Sequence, residues 1–154
     1  SYLSFIAYIT GNQWLAVVGL CMVASLFVFL FYNWYPARVF PGDVLTYSIG
    51  ALIACMAIFG NFERIAVFIF IPYIIETGLK LRGKLQKQSF GNVNDDGSLG
   101  LSYKKIYSLT HFAIFILKNY KMKVFEKDVV YFIWFLQILI CLLSLIIFKE
   151  GLLL

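Results

Sequence analysis

The chain has 154 residues, of which 62% are hydrophobic and 14% charged, and its mean hydropathy is +0.85. These values lie far outside the range of soluble globular domains, so they exclude a soluble fold. The net charge of +5 does not require a nucleic-acid partner, because basic residues also collect in the cytoplasmic loops of membrane proteins. We therefore expect an integral membrane protein that binds no nucleic acid.

No charged side chain occurs before Arg38. The apolar run 1–9 would rise only about 14 Å as a helix, roughly half of a hydrocarbon core that is about 30 Å thick. We expect it to be the end of a spanning helix that begins upstream. The run 15–31 is uncharged and mostly apolar, and aromatic residues follow it. It predicts a complete spanning helix with an interfacial aromatic belt.

Three further spans are predicted along the chain. The run 44–59 is rich in small residues, which allow close helix packing in lipid. The run 65–75 contains Pro72, which removes a backbone donor and predicts a kinked or broken helix. Glu76 follows it, either at the membrane interface or facing a polar cavity. The run 129–148 is uncharged and lies between Asp128 and Lys149. The small residues of 44–59 are Ser48, Gly50, Ala51, Ala54 and Ala57.

The predicted fold is an all-α integral membrane protein, a polytopic helix bundle of about four spans plus a partial one. Because successive spans cross the membrane in alternating directions, the segments 33–43 and 80–128 are expected on one face of the membrane. These two segments contain eleven of the thirteen basic residues, and the other face keeps Arg64 and Lys149. The positive-inside rule makes the first face cytoplasmic.

The long cytoplasmic segment is predicted to contain a small β-hairpin and an interfacial helix. Residues 87–93 and 99–103 flank a turn sequence at 94–98 that includes Asp-Gly. Asp95 and Asp96 within it suit turn positions better than a metal pair, since Asn and Asp favour such positions for local backbone reasons.

Apolar residues recur at helical spacing between 106 and 120, and Ser108 or Thr110 could cap this helix. Its His111 is the single histidine of the chain. A packing role is favoured for it over that of a general base, because the sequence offers it no partner.

The segment 33–43 carries the most concentrated chemical signal, with the sequence Asn-Trp-Tyr-Pro-Ala-Arg-Val-Phe-Pro-Gly-Asp. Two prolines and a glycine predict an unusual backbone before the next span. Asp43 at its end has two interpretations. Its carboxylate could cap the helix that begins at Val44, or it could be a hard oxygen ligand for Mg²⁺ in phosphate chemistry beside the membrane.

This segment resembles the signature of the polyprenyl-phosphate sugar-1-phosphate transferases. The resemblance continues through the runs 80–91 and 105–111, whose sequences are most similar to those of archaeal members of the N-acetylglucosamine branch. It covers essentially all of residues 1–154, which would form the carboxyl-terminal half of a polytopic membrane glycosylphosphotransferase.

The resemblance implies transfer of N-acetylglucosamine 1-phosphate from UDP-N-acetylglucosamine to a dolichyl or related polyprenyl phosphate. UMP is released, and the product begins lipid-linked oligosaccharide assembly for N-glycosylation. The implied location is the archaeal cell membrane, or the endoplasmic reticulum membrane in a eukaryote, with the active face cytoplasmic.

The same resemblance implies the site residues. Asp43 would be the catalytic ligand of Mg²⁺, or of Mn²⁺ in its place, and Phe40 would stack on uracil beside Gly42. Three basic residues would clamp the pyrophosphate. They are Arg82, Lys84 and Lys87.

The family's adjacent aspartate pair is expected upstream of Ser1, so the fragment alone is expected to be inactive. Two alternatives come from other classes. The chain could be a transporter fragment in which Pro72 and Glu76 line a path, or a non-catalytic membrane partner. The sequence leaves a homodimer open.

Overall fold

The computed structural model describes residues 1–34, 36–84, 86, 88–89, 91–94, 96–103 and 105–149. The chain divides into two compact units, one of residues 1–68 with the end of the chain after residue 143, and one of residues 69–143. Within the described residues the elements are, in chain order, α1 (Tyr2–Ile9), α2 (Gln13–Asn33), α3 (Asp43–Phe59), α4 (Glu63–Ile69), α5 (Ile71–Arg82), β1 (Asn92–Val93), β2 (Leu99–Gly100), α6 (Leu109–Tyr120) and α7 (Glu126–Ile147).

In the first unit, α1, α2 and α3 approach one another closely at Gly19. A Cβ atom built on Gly19 would clash with Ser4 Oγ and lie 2.7 Å from Met56 Cε, so a side chain there would require both of these neighbours to move. Ile6, Ala7 and Leu15 are buried around this contact. The absence of a side chain at Gly19 thus allows the three helices to approach closely.

The prediction of close packing through the five small residues of 44–59 is not met within this unit. Only Ala57 among them is buried, and Ser48, Gly50, Ala51 and Ala54 lie exposed. Within this unit the buried residues of α3 are Met56 and Ala57, which lie at its carboxyl-terminal end.

The predicted break near Pro72 is confirmed. α4 ends at Ile69, and Phe70 (φ −85°, ψ −2°) separates it from α5, which has Pro72 in its first turn. Proline is tolerated there because a first-turn amide has no partner within the helix. The side chain of Gln137 in α7 donates to the carbonyl of Ile69 over 3.0 Å. This bond satisfies a backbone acceptor at the break.

α5 continues to Arg82, beyond the predicted end of the span. Lys80 and Arg82 therefore lie in the last helical turn, and the assignment of 80–128 to a cytoplasmic segment stays a prediction. The run 76–82 has no second proline to end the helix, which continues through Gly78. Basic side chains in a last turn also interact favourably with the negative end of the helix dipole.

The predicted β-hairpin is confirmed in the second unit. Its strands pair antiparallel, with Asn92 opposite Gly100 and Val93 opposite Leu99. Gly97 has φ +75° in the turn. A Cβ on Gly91 would lie 2.8 Å from Ile114 Cδ1, so the hairpin packs tightly against α6. The core beneath it is formed by Ala113, Ile114, Val124 and Val129.

Two helices of the described residues, α2 and α7, are long and apolar enough to cross a membrane. α3 is apolar but shorter, with 17 residues. The mostly helical architecture with a small hairpin agrees with the predicted class. The count of about four spans and a partial one, and the position of α6 on the membrane surface, stay predictions.

Candidate functional site

The segment after α2 folds back on the end of that helix. The backbone amide of Arg38 donates to the carbonyl of Tyr32 over 2.9 Å, and the side-chain amide of Asn33 donates to the carbonyl of Val39 over 2.7 Å. Trp34 ends the helix in an extended conformation (φ −63°, ψ 146°). These bonds give the loop a defined course although it contains two prolines, and they hold Arg38 beside the last turn of α2.

Asp43 is the first residue of α3, and Gly42 is the N-cap. Among the residues with described positions, no side-chain hydrogen bond caps this helix, so the interpretation of Asp43 as a capping residue is wrong. The backbone carbonyl of Gly42 instead accepts from the amides of Leu45 and Thr46. The Asp43 side chain is exposed, and within the described residues its carboxylate has no hydrogen bond or ion pair. It is available to a ligand.

Gly42 does not supply the unusual backbone that the sequence predicted. Its φ of −100° and ψ of 177° are ordinary extended values that any residue adopts. A Cβ built there would meet nothing within 4 Å. The absence of a side chain at Gly42 is therefore not required by the fold of this unit, which is consistent with a place where a ligand approaches the backbone.

Phe40 precedes this pair with 76% of its surface exposed, so its ring face is open. The described part of the chain contains no group of three or more His, Cys, Asp or Glu side chains that could hold a metal. Mg²⁺ commonly takes one or two carboxylates together with substrate phosphates and water. The chemistry of the Asp43 carboxylate is that of one such ligand.

Next to this loop is a shallow cavity of about 260 Å³, lined by Phe31, Tyr32, Trp34, Pro36 and Arg38. A place for Arg38 beside this cavity was not predicted from the sequence. The available signal was its place as the first charged residue of the chain, directly after an aromatic belt.

The second unit holds the other described candidates, Arg82 and Lys84, which are both exposed. Among the residues that the structure describes, neither side chain forms a hydrogen bond or an ion pair. Lys84 follows the C-cap Gly83 and has φ +53°, a left-handed conformation that non-glycine residues rarely adopt. Lys87 lies outside the described residues. Phe40, Gly42 and Asp43 are brought together in the first unit, and Arg82 and Lys84 in the second.

Glu76 has a role that the sequence did not indicate. Its Oε2 accepts from the backbone amide of Leu109 over 2.6 Å, and its Oε1 lies 3.6 Å from Lys80 Nζ. Glu76 thus satisfies a free amide at the start of α6 and is neither simply interfacial nor shown to face a cavity. A carboxylate at a helix N-terminus is a favourable arrangement. No sequence pattern indicated this contact, because α6 begins 33 positions after Glu76.

Ser108 is the residue that caps α6, and it is fully buried. Its hydroxyl accepts from the amide of His111 over 3.2 Å and donates to the carbonyl of Ser89 over 3.3 Å. The stretch that follows the basic residues is thereby fixed to the beginning of α6.

His111 is only 1% exposed, and its ring lies 5.6 Å from that of Tyr103, edge to face. Such burial supports the packing role and gives a substrate no access to the imidazole.

Of the acidic pair in the hairpin, Asp95 lies outside the described residues. Asp96 Oδ1 accepts from the amide and the hydroxyl of Ser98, and Oδ2 lies 2.8 Å from Lys123 Nζ. The hydrogen bonds from Lys123 and Ser98 lower the pKa of Asp96, and the carboxylate raises the pKa of Lys123. Asp96 therefore serves the turn, as predicted.

The family profile described as "Glycosyl transferase family 4" matches residues 1–61, which include α1, α2, the loop at 34–42 and α3. This match, over 61 of the 154 residues, supports the resemblance of the sequence to a family of sugar-phosphate transferases.

Relatives extend the similarity over most of the chain. A protein of Saccharolobus solfataricus, provisionally named UDP-N-acetylglucosamine–dolichyl-phosphate N-acetylglucosaminephosphotransferase, is 37% identical over 150 residues, which are 94% of this chain and 45% of the relative. A protein of Sulfolobus acidocaldarius with the same provisional name is 35% identical over 130 residues, which are 84% of this chain and 38% of the relative.

A protein of Dictyostelium discoideum that carries this name without qualification is 50% identical over 46 residues, which are 30% of this chain and 11% of that protein. The chain thus spans less than half the length of these curated relatives. No solved structure matches it significantly.

Proposed function

We propose that this chain is the carboxyl-terminal half of an enzyme that transfers N-acetylglucosamine 1-phosphate from UDP-N-acetylglucosamine to a dolichyl or related polyprenyl phosphate, with release of UMP. The single observation that carries the proposal is the exposed carboxylate of Asp43 at the start of α3, which forms no capping hydrogen bond within the described residues. It lies in the part of the chain that matches the family profile.

The residues of the first unit suit the donor nucleotide and its phosphates. Asp43 offers a hard oxygen ligand for Mg²⁺ or Mn²⁺. When bound, such an ion offsets the charge that develops on the pyrophosphate as its bond breaks. Phe40 presents an open ring face on which uracil can stack, and Gly42 leaves the backbone accessible between them.

Arg82 and Lys84 suit the negative charge of the pyrophosphate. Both are exposed at the end of α5, and the described residues provide no anion that neutralises them. Guanidinium and ammonium groups bind phosphate oxygens through charge-assisted hydrogen bonds. Lys87 is proposed as a third member of this group on the basis of the family resemblance.

The proposal includes an upstream half that contributes the family's aspartate pair, since the chain covers 45% and 38% of its two archaeal relatives. The whole enzyme would be a multi-pass protein of the archaeal cell membrane with its active face cytoplasmic. The basic residues of 33–43 and 80–128 favour that orientation. A homodimer is compatible with it.

The decisive experiment is Asp43→Asn in the full-length protein, reconstituted with Mg²⁺, UDP-N-acetylglucosamine and a polyprenyl phosphate. Loss of a charged metal ligand should lower the rate of UMP release on the order of 10²-fold or more, with membrane insertion unchanged. Glu63→Gln is a matched control, because Glu63 is also an exposed acid in the first turn of a helix. Normal turnover by Asp43→Asn would remove Asp43 from the metal site.

A second experiment tests the basic group. Arg82→Gln should raise the KM for UDP-N-acetylglucosamine about tenfold, because one charge-assisted contact to phosphate is lost. Lys118→Gln, in the last turn of α6, is the control for a general loss of positive charge. An unchanged KM in Arg82→Gln would move the phosphate contacts to other residues.

A further inference from the structure

The cavity beside the candidate site combines two kinds of surface. Phe31, Tyr32 and Trp34 provide aromatic walls, Pro36 adds an apolar one, and Arg38 provides positive charge. Arg38 is exposed, and its guanidinium has no hydrogen bond or ion pair among the described residues. A volume of about 260 Å³ suits a compact group such as a phosphate with the first atoms attached to it. The cavity is thus suited to an anion that carries an apolar tail.

The position of this cavity along the chain indicates where it lies relative to the membrane. α2 has 21 residues and no charged side chain, and at 1.5 Å per residue it spans roughly 31 Å, the thickness of a hydrocarbon core. The cavity begins at the last turn of this helix, where aromatic side chains and the first charge occur together. Such a combination is typical of the membrane–water interface, where the abundant anions are lipid phosphates.

We propose that this cavity binds the phosphate of the polyprenyl phosphate acceptor, with Arg38 contacting the phosphate oxygens and the aromatic walls contacting the adjoining hydrocarbon. This inference rests on the proposed function. Arg38 and Asp43 are five residues apart, so their Cα atoms are at most about 18 Å apart. The acceptor phosphate would therefore be held within reach of the residues around the carboxylate.

The loop geometry supports Arg38 as a fixed group. Its backbone amide is bonded to the carbonyl of Tyr32, and the carbonyl of the next residue, Val39, is bonded to Asn33. The backbone on both sides of the side chain is thereby attached to the end of α2. A planar guanidinium that is positioned in this way can bind two phosphate oxygens at once, which the ammonium of a lysine does less well.

The test uses the full-length protein in nanodiscs of zwitterionic phospholipid, titrated with a short-chain polyprenyl phosphate. Arg38→Gln should raise the Kd and the KM for polyprenyl phosphate about tenfold and leave the KM for UDP-N-acetylglucosamine unchanged. Arg38→Lys, which keeps the charge, should give an intermediate increase. Arg64→Gln is the matched control, because Arg64 is the other arginine of this unit and is also exposed.

Three other outcomes for Arg38→Gln each overturn the proposal. If Arg38→Gln changes only the response to added anionic phospholipid, with the Kd for polyprenyl phosphate unchanged, the cavity binds bulk lipid. If the KM for the donor rises instead, Arg38 belongs to the pyrophosphate contacts. Unchanged constants in a correctly folded variant would leave the cavity with no role in binding the acceptor. A wild-type protein that binds polyprenyl phosphate but releases no UMP would contradict the proposed function and not the lipid site.

Discussion

The carboxylate of Glu76 accepts a hydrogen bond from the backbone amide of Leu109, with Oε2 and N 2.6 Å apart. This bond joins the middle of α5 to the first residue of α6, across 33 positions of sequence. The stretch between them includes Arg82, Lys84 and the β-hairpin. Its two ends are therefore held together by one charged acceptor, whose side chain is 24% exposed.

Glu76→Ala should destabilise the second unit by about 1–2 kcal/mol, because the Leu109 amide loses a charge-assisted acceptor at a helix start. Lys80→Ala is the control, since it removes only the partly exposed ion pair to Glu76 and should cost under about 0.5 kcal/mol. Reversible unfolding in mixed detergent micelles measures both. Equal effects of the two variants would show that the ion pair, and not the bond to the helix start, is the stabilising interaction.

Gln137→Leu should destabilise the protein by about 0.5–2 kcal/mol, because the carbonyl of Ile69 at the helix break loses its side-chain donor. The substitution makes α7 more apolar, so the change in hydrophobicity alone predicts a gain in stability. Leu139→Met on an exposed side of the same helix is a neutral control. Thermal unfolding in detergent measures the difference, and a stabilised Gln137→Leu would show that the bond contributes nothing.

Lys84→Gly should raise stability by up to about 1 kcal/mol, because glycine adopts the left-handed backbone at φ +53° without steric cost. The same change should weaken binding of UDP-N-acetylglucosamine if the ammonium contacts phosphate. Lys84→Asn separates the two effects, since asparagine tolerates this conformation but carries no charge. Stability together with the KM for the donor is the measurement. A loss of stability in Lys84→Gly would mean that the backbone there is not strained.

The hairpin turn should weaken at acid pH. The folded-state pKa of Asp96 is lowered by the hydrogen bonds from Lys123 and Ser98, below the value of about 4 expected in the unfolded chain. The stabilisation is therefore complete above about pH 4 and is lost as the pH falls through the lowered pKa. NMR shifts of the Gly97 and Ser98 amides would follow this titration. Asp96→Asn should abolish it, and an unchanged acid transition in that variant would assign the titration to another group.

Local sequence patterns predicted most of the secondary structure. Long uncharged runs gave α2 and α7, because a helix is the form that satisfies every backbone group of a single segment in lipid. The Asp-Gly turn between short apolar segments gave the hairpin, and Pro72 gave the break between α4 and α5. Each of these features depends on residues close together in sequence.

Contacts between distant residues were not predicted. Gln137 lies 68 positions from Ile69, and Glu76 lies 33 positions from Leu109, so no local pattern relates them. The left-handed Lys84 was also missed, because Gly83 directly before it is the residue type expected at such a position.

In the candidate site, the sequence by itself determined the residue types and the family: a loop of Asn, Pro, Arg, Phe, Gly and Asp before an apolar helix. Composition and local pattern are sufficient for that, since they fix which chemistry is present. Only the tertiary structure decided that Asp43 leaves its helix uncapped, that Arg38 lines a cavity, and that Glu76 serves α6. Those outcomes depend on which donors and acceptors are satisfied by other parts of the folded chain, a property that no single segment contains.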